Sequence, residues 1–223
     1  MKKDLVISLT GSWDMKYLSS ERYTDKKEPS MDGSFINSRA VPAYFEDMQN
    51  IFSAAGIENE IAINPLYERQ TYPQTGYVND MALPNYLGTF GYQRSFTLTE
   101  ISPDTEICFG GVQNTVSVWI NGSYVGIHEG YSAEFSMKIP SDILKIGDNT
   151  VTLAVSNHRL SGYEGRPVSG LTSRAACECT GGIYGDVEIR SYFGGVRDVW
   201  VSTKSDLSAF TVKFTANGQK ERE

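Results

Sequence analysis

Hydrophobic and polar residues alternate along most of this chain, and the alternation has the two-residue period of a β-strand. In the segment NTVSVWIN, Val116, Val118 and Ile120 fall on one face, while Ser117 and Trp119 fall on the other. Similar segments are NTVTLAVSN (149–157), YQRSFTL (92–98), EFSMKI (134–139), DVEIRSYF (186–193) and VRDVWVST (196–203). Each of these segments is predicted to form a strand.

Glycine-rich corners separate the predicted strands. They are Gly110-Gly111, Asn121-Gly122, Gly147-Asp148, Gly181-Gly182 and Gly194-Gly195. Many short strands joined by such corners are typical of an antiparallel sandwich and not of alternating βα units. The pattern therefore predicts an all-β fold, an antiparallel β-sandwich with long irregular loops.

The corner Asn121-Gly122 lies inside the segment VWINGSYVG (118–126), and two interpretations fit it. Asn and Gly accept the two positive φ angles of a tight type I′ hairpin. The tripeptide Asn121-Gly122-Ser123 also matches the acceptor motif of N-glycosylation. The hairpin explains the same residues without a modification and is favoured. Trp119 is then expected to lie between the sheet and a covering layer.

One segment has the spacing of a helix. In VPAYFEDMQNIF (41–52), Tyr44, Met48 and Phe52 recur at intervals of four residues. This spacing predicts a short helix after Pro42.

Two long stretches carry no clear strand pattern, residues 53–88 and residues 158–180. Loops of such length in a compact domain are usually functional or covering segments. Because binding residues concentrate in loops that a rigid sheet holds, these stretches are the better places to look for a function.

The formal net charge of −7 argues against nucleic acid or an anionic membrane surface as a partner. No apolar run approaches the roughly 18 residues that span a bilayer. The apolar stretch from Leu5 to Leu9 is also too short for the core of a signal peptide. Any export signal is therefore expected to lie outside this sequence.

The three cysteines do not form a disulfide framework. Cys108 lies in a predicted core strand and is expected to be a buried thiol. Cys177 and Cys179 form a C-x-C motif, but a zinc site needs about two more ligands. The only histidines are His128 and His158. Unreactive structural thiols are favoured, and no metal and no cofactor are predicted.

The order of the motifs is more specific than any one of them. The series is GSW (11–13), VPAYF (41–45), GYQRSF (91–96), FGGV (109–112), VWINGSYVGIHEGYSAEF (118–135), GDNTVTLAVSN (147–157), GGIYGDV (181–187) and VRDVWVSTK (196–204). It resembles the N-terminal sugar-binding domain of glycoside hydrolase family 2, the group of β-galactosidases, β-glucuronidases and β-mannosidases. The Val-Trp-x-Asn-Gly run and the Gly-Gly-Ile-Tyr segment are its most specific parts.

The resemblance implies a jelly-roll-like sandwich of the galactose-binding-domain type, followed by an immunoglobulin-like domain and a catalytic TIM barrel. Residues 1–204 would form the sandwich. Residues 205–223, in which Phe210, Val212 and Phe214 alternate with polar positions, would begin the second domain or form a disordered tail. The chain is thus expected to be part of a longer enzyme.

The resemblance implies that both catalytic glutamates of the family lie in the TIM barrel. This sequence shows no alternation of strands and helices, so it is not expected to contain that barrel. The local acid pairs Glu46/Asp47 and Glu58/Glu60 are interpreted as solvated surface. No catalytic residue is predicted. The segment alone is expected to be inactive, while its parent hydrolyses O-glycosyl bonds.

Substrate contacts are implied by the resemblance at one position of the second long stretch. Relatives carry an acid about five residues before the Gly-Ile pair, where this chain has Ala176. Glu178 is the nearest acid, and Arg174 lies in the same stretch. The arginine that often follows the Gly-Ile-Tyr triplet is replaced by Gly185. The predicted substrate-binding residues are Glu178, Arg174 and Tyr72.

Three functions remain open. The first is a scaffold domain that packs against a barrel of the same polypeptide and binds a carbohydrate together with it. The second is an autonomous jelly-roll carbohydrate-binding module that stacks sugar rings on exposed Tyr67, Tyr72, Tyr77 and Tyr86. The third is an adhesion sandwich related in fold alone. The resemblance favours the first and implies a periplasmic or secreted parent.

Overall fold

The computed structural model describes residues 3–63, 71–72, 77–78, 86–130, 133–157 and 181–217. In chain order, its strands are β1 (Leu5–Ser8), β2 (Gly11–Ser19), β3 (Phe35–Val41), β4 (Ala43–Tyr44), β5 (Ala62–Ile63), β6 (Thr71–Tyr72), β7 (Tyr77–Val78), β8 (Tyr86–Leu87), β9 (Thr89–Leu98), β10 (Thr105–Phe109), β11 (Val112–Gln113), β12 (Thr115–Ile120), β13 (Ser123–Glu129), β14 (Phe135–Ile139), β15 (Gly147–Ser156), β16 (Gly182–Ile183), β17 (Val187–Ser191), β18 (Gly195–Thr203) and β19 (Phe210–Asn217). The described helical elements are α1 (Gln49–Ala54) and the 3-10 turns Glu46–Met48, Glu58–Glu60 and Ser141–Ile143.

The longer strands form two antiparallel sheets. One sheet has six strands in the order β13-β12-β15-β9-β2-β3, and the other has four strands in the order β1-β17-β10-β14. A three-stranded sheet, β11-β16-β4, brings together short segments from three distant parts of the chain. Among the described strands, no two neighbours in the four-stranded sheet are consecutive in sequence, and in the six-stranded sheet only β12-β13 and β2-β3 are. The chain therefore crosses repeatedly between the layers.

Side chains from both large sheets form one hydrophobic core. The six-stranded sheet contributes Val116 and Val118 from β12 and Leu153 from β15, and the four-stranded sheet contributes Ile107 from β10 and Ile189 from β17. These positions follow the two-residue period, because alternate side chains of a strand point to the same face. The predicted all-β antiparallel sandwich is confirmed.

The same period explains the position of Cys108. This residue lies between the buried residues Ile107 and Phe109 in β10, and its own side chain is only half-buried. It therefore belongs to the outer face of the strand. The prediction of a buried thiol is wrong, because the strand has only one face toward the core.

The predicted helix is confirmed over residues 46–54, where a 3-10 turn leads into α1. Met48 and Phe52 are buried as the spacing requires, and the Phe52 ring stacks on Phe90 with a centroid distance of 5.1 Å. Tyr44 is not helical, because it pairs with Gly182 in the three-stranded sheet. Among the described residues, no helix is long and apolar enough to cross a membrane.

The predicted hairpin between β12 and β13 is confirmed. The φ angles of Asn121 and Gly122 are 51° and 82°, the two positive values that a type I′ turn needs. Trp119 is fully buried, and its indole N–H donates to the backbone carbonyl of Lys26 over 2.8 Å. The ring of Tyr23 packs edge-on against Trp119. The segment before β3 therefore supplies the predicted covering layer.

The side-chain amide of Asn121 is fully hydrogen-bonded. Its Nδ2 donates to the carbonyl oxygen of Ile143 and to Oδ1 of Asn149, both over 2.8 Å, and its Oδ1 accepts the backbone N–H of Thr150 over 3.0 Å. Asn149 also bonds the backbone N–H and carbonyl of Lys145. Because both hydrogens of the Asn121 amide are used, the geometry favours the turn over a glycosylation acceptor. Residues 118–126 and 143–150 are called the hairpin end below.

Strands β18 and β19 pair only with each other within the described chain. Their hairpin spans residue 204, the predicted end of the first domain, and the position of that boundary stays a prediction. Phe210, Val212 and Phe214 alternate as the pattern requires, and all three side chains are exposed.

Candidate functional site

The end of the six-stranded sheet opposite the hairpin end is where two long stretches join the described chain. Ile63 and Tyr86, which flank the first stretch, pair with each other in β5 and β8. Asn157 and Gly181, which flank the second, are in contact, since a Cβ built on Gly181 lies 2.8 Å from Cβ of Asn157. Residues 43–48, 86–92, 112–114, 157 and 181–184 are called the loop end below.

Asn157 links the flanks of both stretches. Its Nδ2 donates to the carbonyl oxygen of Tyr86 over 2.6 Å, and its Oδ1 accepts the backbone N–H of Gly88 over 3.0 Å. Its own carbonyl accepts Nδ2 of Asn114 over 2.8 Å. The Asn157 side chain is fully buried. Through its side-chain amide and its backbone carbonyl, Asn157 therefore holds together three segments that are distant in sequence.

Gly181 allows the chain to return to the sheet in close contact with Phe45. The carbonyl oxygen of Gly181 accepts the backbone N–H of Phe45 over 2.8 Å. A Cβ at Gly181 would overlap the Phe45 ring. The next residue, Gly182, has a φ angle of 120°, a backbone conformation that other residues rarely adopt. The glycine pair seen in the sequence is thus required by close packing and by backbone geometry.

Glu46 carries the most perturbed carboxyl group of the loop end. It follows Phe45 at the start of the 3-10 turn and is only 8% exposed. Within the described chain, neither carboxyl oxygen has a hydrogen-bond partner of ordinary geometry. Burial raises the pKa of Glu46 to about 8, the backbone N–H groups of Glu46 and Gly181 partly oppose this rise, and the charge of Asp47 adds to it. The interpretation of Glu46 as solvated surface is wrong, whereas Asp47 is exposed as expected.

Two tyrosines near Glu46 also bury their hydroxyl groups without a hydrogen-bond partner in the described chain, Tyr86 and Tyr92. Burial raises the pKa of Tyr86 to about 12, with smaller contributions from the charges of Glu58 and Glu46. Burial and the charge of Glu46 also raise the pKa of Tyr92. Because Tyr86 is fully buried, it is not the exposed sugar-stacking ring that the module hypothesis requires of it.

Tyr44 and Tyr184 form an aromatic pair that the sequence reasoning missed. Their rings stack with a centroid distance of 5.3 Å and an angle of 20° between the planes, and both residues are half-buried. The Tyr184 ring lies directly against Gly111, which has no side chain to displace it. The Gly-Gly corner and the Gly-Gly-Ile-Tyr segment were both visible in the sequence. Their contact was not, because it joins positions far apart in the chain.

Most of the described sandwich matches a known protein family. A family model described as glycosyl hydrolases family 2, sugar binding domain, matches residues 6–191. The chain belongs to this family. The resemblance inferred from the motif series is therefore confirmed, and so is the function of this region as a sugar-binding domain of the family.

Curated relatives of this sugar-binding domain are much longer proteins. The β-galactosidase of Streptococcus thermophilus is 27% identical over 163 residues, which cover 70% of this chain and 15% of that protein. The β-galactosidase of Pseudoalteromonas haloplanktis is 28% identical over 152 residues, which cover 66% of this chain and 14% of that protein. The match thus spans only about 15% of the first relative's length.

Solved structures share the fold of the domain. The β-glucuronidase of Bifidobacterium dentium, complexed with coumarin-3-O-glucuronide, superposes with a TM-score of 0.60 at 17% identity, over 96% of this chain and 37% of that chain. A β-glucuronidase of Faecalibacterium prausnitzii superposes with a TM-score of 0.57 at 21% identity, over 96% of this chain and 36% of that chain. At these identities the likeness establishes the sandwich fold.

The predicted substrate-binding residues are not tested by this structure. Arg174 and Glu178 lie outside the described residues, together with Ala176. Tyr72 lies in β6, where its backbone pairs with Tyr77, and its side chain is not among those described. The roles proposed for these side chains stay predictions.

The remaining candidate groups have ordinary structural surroundings. Glu58 accepts the Ser53 hydroxyl, and Glu60 is exposed. His128 is half-buried in β13 and stacks on Phe135 with a centroid distance of 3.6 Å. Burial lowers the pKa of His128, and the charge of Glu129 opposes this. In the part of the chain that is described, no three histidine, cysteine or acidic side chains cluster as metal ligands would.

Proposed function

We propose that this sugar-binding domain is the non-catalytic N-terminal part of a β-galactosidase-like glycoside hydrolase, and that it acts on a carbohydrate together with a catalytic domain of the same polypeptide. The observation that carries the proposal is the family match over residues 6–191 in a chain that covers 15% of a β-galactosidase. Such a relative has ample length for a barrel of about 250 residues.

The acid pairs of the described chain support a non-catalytic role. Hydrolysis of a glycosidic bond usually needs two carboxyl groups that face the same sugar bond. Glu46 is buried, whereas its neighbour Asp47 is exposed, so the two carboxyl groups do not face a common surface. Glu58 is engaged by Ser53, and Glu60 is exposed. The Glu46/Asp47 pair therefore lacks the shared orientation that this reaction needs.

The loop end supports a scaffold role. Asn157, Gly181 and Tyr86 hold the flanks of the two long stretches against the sheet through buried hydrogen bonds and close packing. A rigid sheet that presents loops at one end is a common arrangement for a binding surface. In this proposal the domain contributes such a surface to the active site of its parent enzyme.

The proposal is tested by comparing this 223-residue chain with its full-length parent on aryl β-galactosides and aryl β-glucuronides. We expect turnover by the parent and none by the chain alone. Turnover by the chain at a rate near that of the parent would contradict the non-catalytic role. Calorimetry of the chain with lactose separates the alternatives, because binding near millimolar concentration would favour an autonomous carbohydrate-binding module.

We also propose that the parent enzyme is periplasmic or secreted. The support is the expectation, drawn from the resemblance to the family, that the substrates of the parent lie outside the cell. Cell fractionation followed by detection with an antibody against this domain tests the location. Recovery of the protein in the cytosolic fraction alone would overturn it.

A further inference from the structure

Glu46 is a buried acid in a position that joins distant parts of the chain. It lies next to Phe45, whose backbone N–H donates to Gly181 over 2.8 Å, and Gly181 in turn contacts Asn157. The Glu46 side chain is 8% exposed, and no described group makes an ordinary hydrogen bond to its carboxyl oxygens. A buried carboxylate without a cation or several N–H donors is strongly unfavourable, so such a group stays protonated.

Among the described residues, no group that faces Glu46 stabilises a negative charge by charge pairing. On its own segment, the nearest titratable group is Asp47, which is itself acidic. Tyr86 of β8 and Tyr92 of β9 interact with Glu46 electrostatically, and Glu58 acts on Tyr86 from the following turn. Each of these groups is neutral when protonated and negative when deprotonated, so none of them can pair with a carboxylate as a cation. The backbone N–H groups of Glu46 and Gly181 give the only favourable contribution that the described residues provide.

We propose that Glu46 is a proton-dependent lock on the loop end: its neutral carboxyl allows Phe45 and Gly181 to pack closely, and its ionisation opens this contact. The described residues offer the carboxylate no cation, so an opened contact would supply solvation by water, and the Phe45–Gly181 hydrogen bond is the contact beside the carboxyl. The protonation state of Glu46 therefore affects the contact between Gly181 and Asn157 at the edge of the sheet.

Ionisation of Glu46 lowers the stability of the folded protein as the pH rises. The folded protein keeps the Glu46 proton up to a pKa of about 8, whereas the unfolded chain loses it near 4.5. Between these values the folded state binds more protons, so stability is greatest below the lower value and falls as the pH increases. From pH 6 to pH 9 this single group lowers the ratio of folded to unfolded protein by about a hundredfold.

The first test is chemical denaturation of the 223-residue chain from pH 6 to pH 9, with Glu46→Gln and with Glu60→Gln as an exposed control. We expect the folding equilibrium of the wild type and of the control to fall by about a hundredfold more than that of Glu46→Gln. An equal pH dependence in all three proteins would overturn the proposal.

The second test measures the site directly, and its first readout uses the wild-type protein alone. Carbon-13 NMR of the Glu46 carboxyl in the wild type is expected to report a midpoint near pH 8. A midpoint near 4.5 would overturn the proposal. Hydrogen exchange at the Phe45 amide provides the local readout, because this N–H bonds Gly181. We compare the exchange rate of this amide in the wild type with its rate in Glu46→Gln at the same pH. The ratio of these two rates is expected to rise above pH 8, and a constant ratio would show that ionisation does not open the contact.

Discussion

The two ends of the six-stranded sheet differ in how many of their buried polar groups have hydrogen-bond partners, although Asn157 at the loop end is as well bonded as Asn121 at the hairpin end. At the hairpin end, the amides of Asn121 and Asn149 use their donors and acceptors on each other and on nearby backbone. At the loop end, the described chain provides no hydrogen-bond partner for the carboxyl of Glu46 or for the hydroxyls of Tyr86 and Tyr92. Both ends belong to one sheet and one core. The difference therefore lies in local polar chemistry and not in hydrophobic burial.

This contrast distinguishes a rigid turn at the hairpin end from a loop end whose conformation can change more readily. A satisfied polar network rigidifies a protein, whereas unsatisfied buried groups raise the free energy of the folded state. The turn at the hairpin end joins β12 to β13, whereas the loop end holds the flanks of two long stretches and contains buried groups that have no hydrogen-bond partner in the described chain. Elements that bind ligands are commonly drawn from the less stable parts of a fold.

The largest effect is expected from Asn157→Ala at the loop end. The substitution leaves the buried carbonyl of Tyr86 and the N–H of Gly88 without their partner, so the free energy of unfolding should fall by about 3–5 kcal/mol. Urea denaturation monitored by tryptophan fluorescence measures the change. The control Asn50→Ala, at an exposed position of α1, should change stability by less than about 0.5 kcal/mol. A similar small change for both would show that Asn157 does not hold the loop end.

An intermediate effect is expected at the hairpin end from Asn121→Ala. Alanine loses the three amide hydrogen bonds and must also adopt a φ angle of 51°. We expect a loss of about 2–3 kcal/mol in the free energy of unfolding. Asn121→Gly accepts the positive φ and should lose only about 1–2 kcal/mol, so the pair separates backbone strain from hydrogen bonding. Equal losses in the two variants would mean that the positive φ angle adds no strain energy when alanine occupies position 121. Unlike the Glu46 effect, neither loss should depend on pH between 6 and 9.

The smallest effect, and one of opposite sign, is expected from Tyr92→Phe. Since the Tyr92 hydroxyl is buried without a partner in the described chain, its removal should leave stability unchanged or raise it by up to about 1 kcal/mol. Tyr17→Phe is the matched control, because the Tyr17 hydroxyl donates to the Leu87 carbonyl and accepts the Ala62 N–H, both over 3.2 Å. The control should lose about 1 kcal/mol. A clear loss of stability in Tyr92→Phe would show that its hydroxyl is satisfied.

Local rules explain what could be predicted at the hairpin end. The alternation around Val116, Val118 and Ile120 depends on the pleat of one strand, and the turn at Asn121 and Gly122 depends on the φ angles that two adjacent residues accept. The covering of Trp119 was also predictable, because a large apolar ring on the outer face of a sheet needs a second layer. Each of these inferences requires only neighbouring residues.

The loop end could not be predicted in the same way. Glu46 stands beside Asp47 in the sequence, and nothing local distinguishes a buried acid from an exposed one. Its burial follows from Phe45 meeting Gly181, and the burial of Tyr86 follows from contact with Phe52 and pairing with Ile63. The Tyr44–Tyr184 stack likewise depends on the pairing of β4 with β16. All of these contacts join residues that are distant along the chain.

The sequence by itself determined the fold class, the hairpin turn and the family of this domain, because strand period and turn chemistry act over short distances and the order of the motifs can be read directly along the chain. The tertiary structure alone decided which polar groups are buried and which have partners. Solvation and pKa depend on the side chains and backbone that surround a group in space, whatever their distance in the chain. Glu46, buried where Phe45 meets Gly181, acquires its raised pKa only once the sandwich has formed.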